Sequence, residues 1–310
     1  MKTKTTCSLK KNPVSGLTHS AVSTFASVVS AAIICFPMSA HAFDIDAGDF
    51  VAPPPGTNLA LLYFQHSTRD SLYANGNKLP GDNKLDADIA ILRGVHWFKL
   101  GDYTALNQVI LPFGTLEGKG STSGLGKADG AADLILSQGI WLKSADRKGT
   151  NWGVAHFLFV PTGSYDKNSA LNLGENRWKW TLQTGLAQGL TENLSLDLTA
   201  DVTFFGNNNQ ANAANATKSQ DRSYQTQAHL RYNITDGFYL LGSLSYEWGG
   251  ETEINGVSQN DEQKKSKFSV GAGYWVTPSV QLLAVYGQDI HVENGFKEDS
   301  RVNLRLVKAF

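Results

Sequence analysis

The sequence predicts an all-β fold, a transmembrane antiparallel up-and-down β-barrel of about twelve strands, and three observations carry that prediction. Two neighbouring stretches alternate apolar and polar residues over a full strand length. Leu194, Leu196, Leu198, Ala200, Val202 and Phe204 mark the first; Tyr224, Ala228, Leu230, Tyr232 and Ile234 mark the second. Successive side chains of a strand point to opposite faces, so each stretch has one oily face and one wet face. The connections between such stretches alternate between long polar loops and short turns, as in a barrel whose two ends lie on opposite sides of a membrane. The last ten residues, RVNLRLVKAF, form one more alternating stretch that stops on an aromatic ring.

Taken in order, strands are expected at 58–67, 86–95, 103–112, 130–141, 151–160, 178–189, 194–205, 222–234, 238–248, 267–275, 280–290 and 300–310. Most are close to the ~9–11 residues of a tilted membrane strand rather than the ~5–6 of a soluble one. Thr191-Glu192-Asn193, Thr235-Asp236-Gly237 and Thr277-Pro278-Ser279 supply turn chemistry to three short connections. The long ones are polar, as in GNNNQANAANATKSQ and GGETEINGVSQNDEQKKSK. An even strand number puts both chain termini on the periplasmic side. Trp97, Phe98, Trp141, Trp152, Trp178, Trp180, Trp248 and Trp275 fall near strand ends, where aromatic girdles meet lipid headgroups.

Residues 1–42 read as a secretory signal. Lys2, Lys4, Lys10 and Lys11 precede a small apolar stretch from Ala21 to Phe36, and Ala40-His41-Ala42 forms the cleavage pattern. Residues 43–57 are then a periplasmic segment or a partial plug, and 58–310 the outer-membrane barrel. Loss of the leader takes Lys and Arg from 27 to 23 against 28 Asp and Glu, a balance of −5, and removes both cysteines, Cys7 and Cys35. That acidic balance argues against a nucleic-acid partner.

On the inward register lie Asp197, Asp201, His229, Arg231, Glu247, Arg301 and Arg305 as lumen-lining candidates, with Asp88, Asp133 and Lys179 beside them. Charges of both signs in a narrow barrel either fill it as ion pairs or form a ring that selects solutes. Twelve strands sit between filled eight-stranded barrels and open sixteen-stranded porins, so a narrow passage is expected. On the last strand, Leu304, Leu306 and Phe310 face lipid as a barrel-assembly signal, while Arg301 and Arg305 face the lumen. That strand seals against the first, satisfying backbone groups that hydrocarbon cannot.

Catalytic and metal patterns are missing from the sequence. The five histidines after the leader make no HxH or HExxH spacing, so neither metal nor cofactor is expected. His66 is followed directly by Ser67, and His229 by Leu230 and Arg231, so no strand carries the His-x-Ser pair of a barrel phospholipase. Glu117–Gly120 and Gly124–Lys127 lack the GxxxxGK[ST] pattern and read as loop glycines. The chain is read as no enzyme.

Ala47-Gly48-Asp49-Phe50 followed by Pro54-Pro55-Gly56-Thr57, then FVPTGSYD at Phe159–Asp166, then Asn172-x-Gly174-x-Asn176-Arg177-Trp178, resemble outer-membrane proteins grouped as the phenol meta-cleavage-pathway family. The likeness runs from Asp46 to Phe310. It implies an outer-membrane barrel that admits small hydrophobic or aromatic solutes passively, down the lumen or sideways through the wall. Outer-membrane lipid and the barrel-assembly machinery would be its partners. Two other functions fit the residues: a narrow channel for small hydrophilic solutes, and a non-conducting barrel whose long loops bind a surface partner.

Overall fold

A computed structural model describes residues 44–310; the expected leader, 1–42, and Phe43 lie outside the described residues. Twelve long antiparallel strands close into one barrel. They are β1 (Asn58–Arg69), β2 (Asn83–Leu100), β3 (Tyr103–Gly120), β4 (Leu134–Lys143), β5 (Thr150–Val160) and β6 (Lys179–Gly189). β7 (Leu194–Phe205), β8 (Ser223–Asn233), β9 (Phe238–Gly249), β10 (Gln263–Thr277), β11 (Val280–Val292) and β12 (Ser300–Ala309) follow. Each pairs with its sequence neighbours. β12 closes the ring on β1, in register from Leu59↔Ala309 to Thr68↔Ser300. The seam continues past the last strand: the Asn58 and Phe310 backbones exchange two N–H···O bonds of 3.0 Å. No sheet edge is left for lipid to meet.

Every expected strand is present, and the differences are in length. β2 and β3 run well beyond 86–95 and 103–112, pairing as far as Asn83↔Gly120 above the membrane. Glu117–Gly120, read as loop glycines, therefore lies on a strand. The wall there is glycine-dependent. A side chain at Gly114 would meet the Asp88 carbonyl oxygen at 2.0 Å, and one at Gly118 the Thr122 carbonyl oxygen at 2.4 Å. A short strand, Lys127–Ala131, returns beside β3 ahead of β4.

The alternation that predicts the strands sets the two faces of the wall. Leu62, Phe64, Leu92, Val109, Leu198, Leu230, Leu244, Leu304 and Leu306 are exposed outward, as a lipid-covered surface requires. Trp178, Trp180 and Tyr246 lie outward toward the loop end, and Trp152, Tyr232 and Tyr274 toward the turn end. Trp180 stacks on Phe204, and Trp248 on both Tyr224 and Tyr246. Three of the expected girdle residues are elsewhere, Trp275 lining the lumen at the turn end. Trp97 and Trp141 occupy inward positions of β2 and β4 and are buried, with ring centroids 4.5 Å apart.

Outside the barrel end, two small sheets brace the long loops. Lys218–Gln220 pairs with Thr252–Ile254, which pairs in turn with Val257–Ser258, and Gly295–Lys297 pairs with Ser71–Ala74, which pairs in turn with Asn77–Lys78. Their hairpins turn at Asn255-Gly256 and Asn75-Gly76, with positive φ at both residues of each pair. That geometry favours Asn-Gly, because mirror-image turns match the twist of the flanking strands.

Candidate lumenal passage

The lumen is shaped by the segment that precedes β1. Asp46 to Val51 forms a tight turn, closed by Asp49 N–H on the Asp46 carbonyl and Val51 N–H on the Gly48 carbonyl, both 3.0 Å. It is held by side chains and not by a strand ladder. Asp44 Oδ2 meets Lys267 Nζ at 2.6 Å and Arg301 Nη2 at 3.1 Å. Asp46 Oδ2 meets Arg305 Nη1 at 2.7 Å, and Asp49 Oδ2 meets Arg93 Nη1 at 3.1 Å. Gly48 N–H donates to Asp197 Oδ2 at 2.5 Å, and Trp141 Nε1–H donates to the Phe50 carbonyl at 2.8 Å.

Shape supports these bonds. Phe50 is buried against Trp141, with centroids 5.7 Å apart, and its ring occupies the space in front of Gly185 on β6. A Cβ at Gly185 would lie 2.3 Å from that ring. Gly48 needs its φ of +94°, and a side chain there would collide with the Arg231 guanidinium at 2.2 Å. Glycines on both the segment and the wall thus let the two approach.

All seven lumen-lining candidates are partly or wholly buried on the inner face. Asp197, Arg301 and Arg305 bond the segment directly. Arg231 packs over Tyr239 and donates to Ser195 Oγ at 3.3 Å, beside Gly48. The other three are held by the wall: Asp201 by Gln183 at 3.3 Å, Glu247 by Lys265 at 3.7 Å and His229 by Ser243 at 2.7 Å. Asp88, expected with them, is on the outer face, where its carboxylate bonds His66 Nδ1 at 2.7 Å. The register pairs His66 with Asp88 across β1 and β2, both pointing away from buried Ser67 and Ala87. Leu304, Leu306 and Phe310 point outward, and Lys308 reaches Ser279 Oγ at 2.8 Å beside the last turn.

Three cavities are strung along the lumen beside the segment. One of about 320 Å³ lies at the loop end, with Ile89, Pro112, Leu116, Ile135, Phe159 and Leu173 on its walls. A middle cavity of about 90 Å³ shares Asp44, Gln65, Ile91, Ile110 and Arg301 with it. A third, of about 320 Å³, opens toward the turn end past Trp97, Trp275 and Ala309 and shares Ala47 and Arg93 with the middle one. The residues shared by neighbouring cavities thus include the ion pair Asp44–Arg301 above the middle cavity and, below it, Arg93, which pairs with Asp49.

The mouth is built from the two motifs that follow β5. Gly163 and Gly174 touch backbone to backbone, so that a Cβ on Gly163 would meet the Gly174 Cα at 2.6 Å. Asp133 accepts the N–H groups of Gly163 at 2.9 Å and Glu175 at 3.0 Å, locking both motifs to the end of β4. Glu175 bonds Lys179 Nζ and, at 2.6 Å, Arg177 Nη2. Burial alone would raise its carboxyl, but Lys179 and Arg177 outweigh burial and hold it down at about 2. FVPTGSYD and NLGENRW are thus the frame of the upper cavity.

Sequence reasoning missed Asp44, Asp46, Asp49, Arg93 and Lys267. The carboxylates stand before the first strand, where no periodicity flags them, and their partners become partners only when the barrel closes.

No curated protein matches this sequence. Among solved structures, the COG4313 outer membrane channel from Pseudomonas putida F1 is 39% identical, with a TM-score of 0.83 over 86% of this chain and 100% of that one. Two more distant barrels are a Pseudomonas aeruginosa FadL homologue and the TodX monoaromatic hydrocarbon channel. The first is 12% identical over 82% of this chain and 88% of that one, with a TM-score of 0.41. The second is 9% identical over 83% and 90%, with a TM-score of 0.45. The fold and the likeness to the COG4313 channel make the chain a barrel of the Gram-negative outer membrane. The family model for the MetA pathway of phenol degradation matches residues 68–306, and the chain belongs to that family.

Proposed function

We propose that this barrel admits small hydrophobic compounds, chiefly aromatic ones, by passive diffusion along the lumen beside the N-terminal segment. The observation that carries this reading is the cavity series, because it offers a sheltered route from the loop end to the turn end. Ten of the nineteen residues lining the upper chamber are apolar, Phe159 the one aromatic among them, and the other nine are polar or charged; the apolar side is surface on which a small hydrophobic molecule can leave water. At the necks a solute meets Asp44–Arg301 and Asp49–Arg93, so passage requires the segment to shift against the wall. Segment 44–57 acts as a partial plug in this reading, and Asp197, Arg301 and Arg305 as its anchors.

A hydrophilic channel is the second reading, favoured by the charged necks alone. Uptake of labelled toluene and of a small sugar separates the two in cells lacking the protein and in the same cells with it restored. Faster toluene influx with unchanged sugar influx supports the proposal. Faster sugar influx alone supports the hydrophilic channel, and no change in either removes both.

A further inference from the structure

The middle cavity is polar in an uneven way. Of its charged lining groups, Asp44 is tied to Lys267 and Arg301, Asp46 to Arg305, and Arg93 to Asp49. Two buried polar atoms on the lining have no hydrogen-bond partner among the described residues: His229 Nε2 and Asn303 Oδ1. His229 is only 5% exposed, and its ring is held from the far side, Nδ1 lying 2.7 Å from Ser243 Oγ. The register explains the contact, since His229 and Ser243 stand opposite each other on β8 and β9. Ile91, Ile110, Leu241 and Val285 supply apolar surface in the same cavity.

We propose that the middle cavity is a recognition site for an uncharged, hydroxyl-bearing small molecule, with His229 Nε2 as the atom that reads the hydroxyl and Ser243 as the residue that positions the ring. This rests on the lumen being the passage. A buried nitrogen without a partner is costly, so a solute that completes it binds better than one that covers it with hydrocarbon. A hydroxyl both donates and accepts. It therefore fits Nε2 whether the Ser243 hydroxyl donates to Nδ1 or Nδ1–H donates to it. A carboxylate or ammonium would bring a further charge, with its own desolvation cost, among side chains already engaged in ion pairs. The class selected is a small aromatic or aliphatic alcohol, ahead of the hydrocarbon of the same shape.

The test compares influx of p-cresol and p-xylene, which differ by hydroxyl against methyl, in cells lacking the protein and in cells carrying the wild type, His229→Leu, His229→Gln or Ser243→Ala. Folded barrel is quantified by its heat-sensitive migration on gels. The expected wild-type preference for p-cresol is about tenfold, the scale of one neutral hydrogen bond to a buried group. His229→Leu brings the ratio near one, His229→Gln restores part of it, and Ser243→Ala lowers it with the imidazole still present. A wild-type ratio of one with both influxes raised overturns this inference and leaves the passage standing. A preference that survives in folded His229→Leu also overturns it; if His229→Leu does not fold, a full preference in Ser243→Ala overturns the positioning role. Influx of neither compound above that of cells without the barrel overturns the passage and this site together.

Discussion

Gly185 and Phe50 are 135 positions apart in chain order and depend on each other in the lumen. Gly185→Val is expected to push Phe50 off the wall at a cost of about 1–3 kcal/mol, the range for overfilling a packed site. Faster limited proteolysis of residues 44–57 in the folded barrel would report it; unchanged proteolysis would show that the ring does not need the glycine. Glu175 gives a pH prediction. Its carboxyl sits below the ordinary 4.5, at about 2, so the stability it adds is fully present above 4.5 and is lost as pH falls through about 2. Trp178 fluorescence is expected to change over that window in the wild type and to lack the change in Glu175→Gln. At this scale the sequence was partly legible. The inward charges could be counted along β7, β8 and β12, but Asp88 could not be sided correctly, because at the loop end of β2 the charges Lys84, Asp86 and Asp88 take the outer face and the apolar Leu85 and Ala87 the inner one. The Ser243–His229 contact lies across two strands and is invisible to any search within one.

Among the elements, the strands were the most legible because lipid on one side and polar lumen on the other impose a strict period of two. Their ends above the membrane were not. There the sides are reversed: Lys84, Asp86, Glu117 and Lys119 take the outer positions while Leu85, Ala87 and Leu116 pack inward, and β2 and β3 continue as one paired hairpin. The Asn75-Gly76 and Asn255-Gly256 hairpins were readable from the dipeptides alone. The segment before β1 had no period to read. Its hold is an electrostatic one: three aspartates at 44, 46 and 49 against Lys267, Arg301, Arg305 and Arg93. Replacing Asp46 and Asp49 together by Asn leaves Arg305 and Arg93 without their anionic partners in a confined space, a change that costs about 3–5 kcal/mol for a fully buried pair. The expected result is a looser segment, seen as higher single-channel conductance in a planar bilayer. Conductance equal to the wild type would mean that the ion pairs do not hold the necks closed.

For the whole molecule, the barrel holds three cavities beside the segment, and in the function proposed above selectivity is set by side chains meeting the solute one chamber at a time. Family membership and the fold place this tube in the outer membrane; the lumenal route is the claim that function rests on. Both cysteines of the sequence, Cys7 and Cys35, precede the described residues, so a single cysteine introduced in the barrel is a clean handle once the leader is removed. The most direct measurement is toluene influx before and after thiol modification of Leu173→Cys on the upper chamber wall, with Ala214→Cys on an exposed loop as the control. The lumenal route predicts that modification at 173 slows influx by about tenfold or more, as filling one chamber of a narrow passage would, while modification at 214 has no effect. Undiminished influx with position 173 fully modified would contradict it.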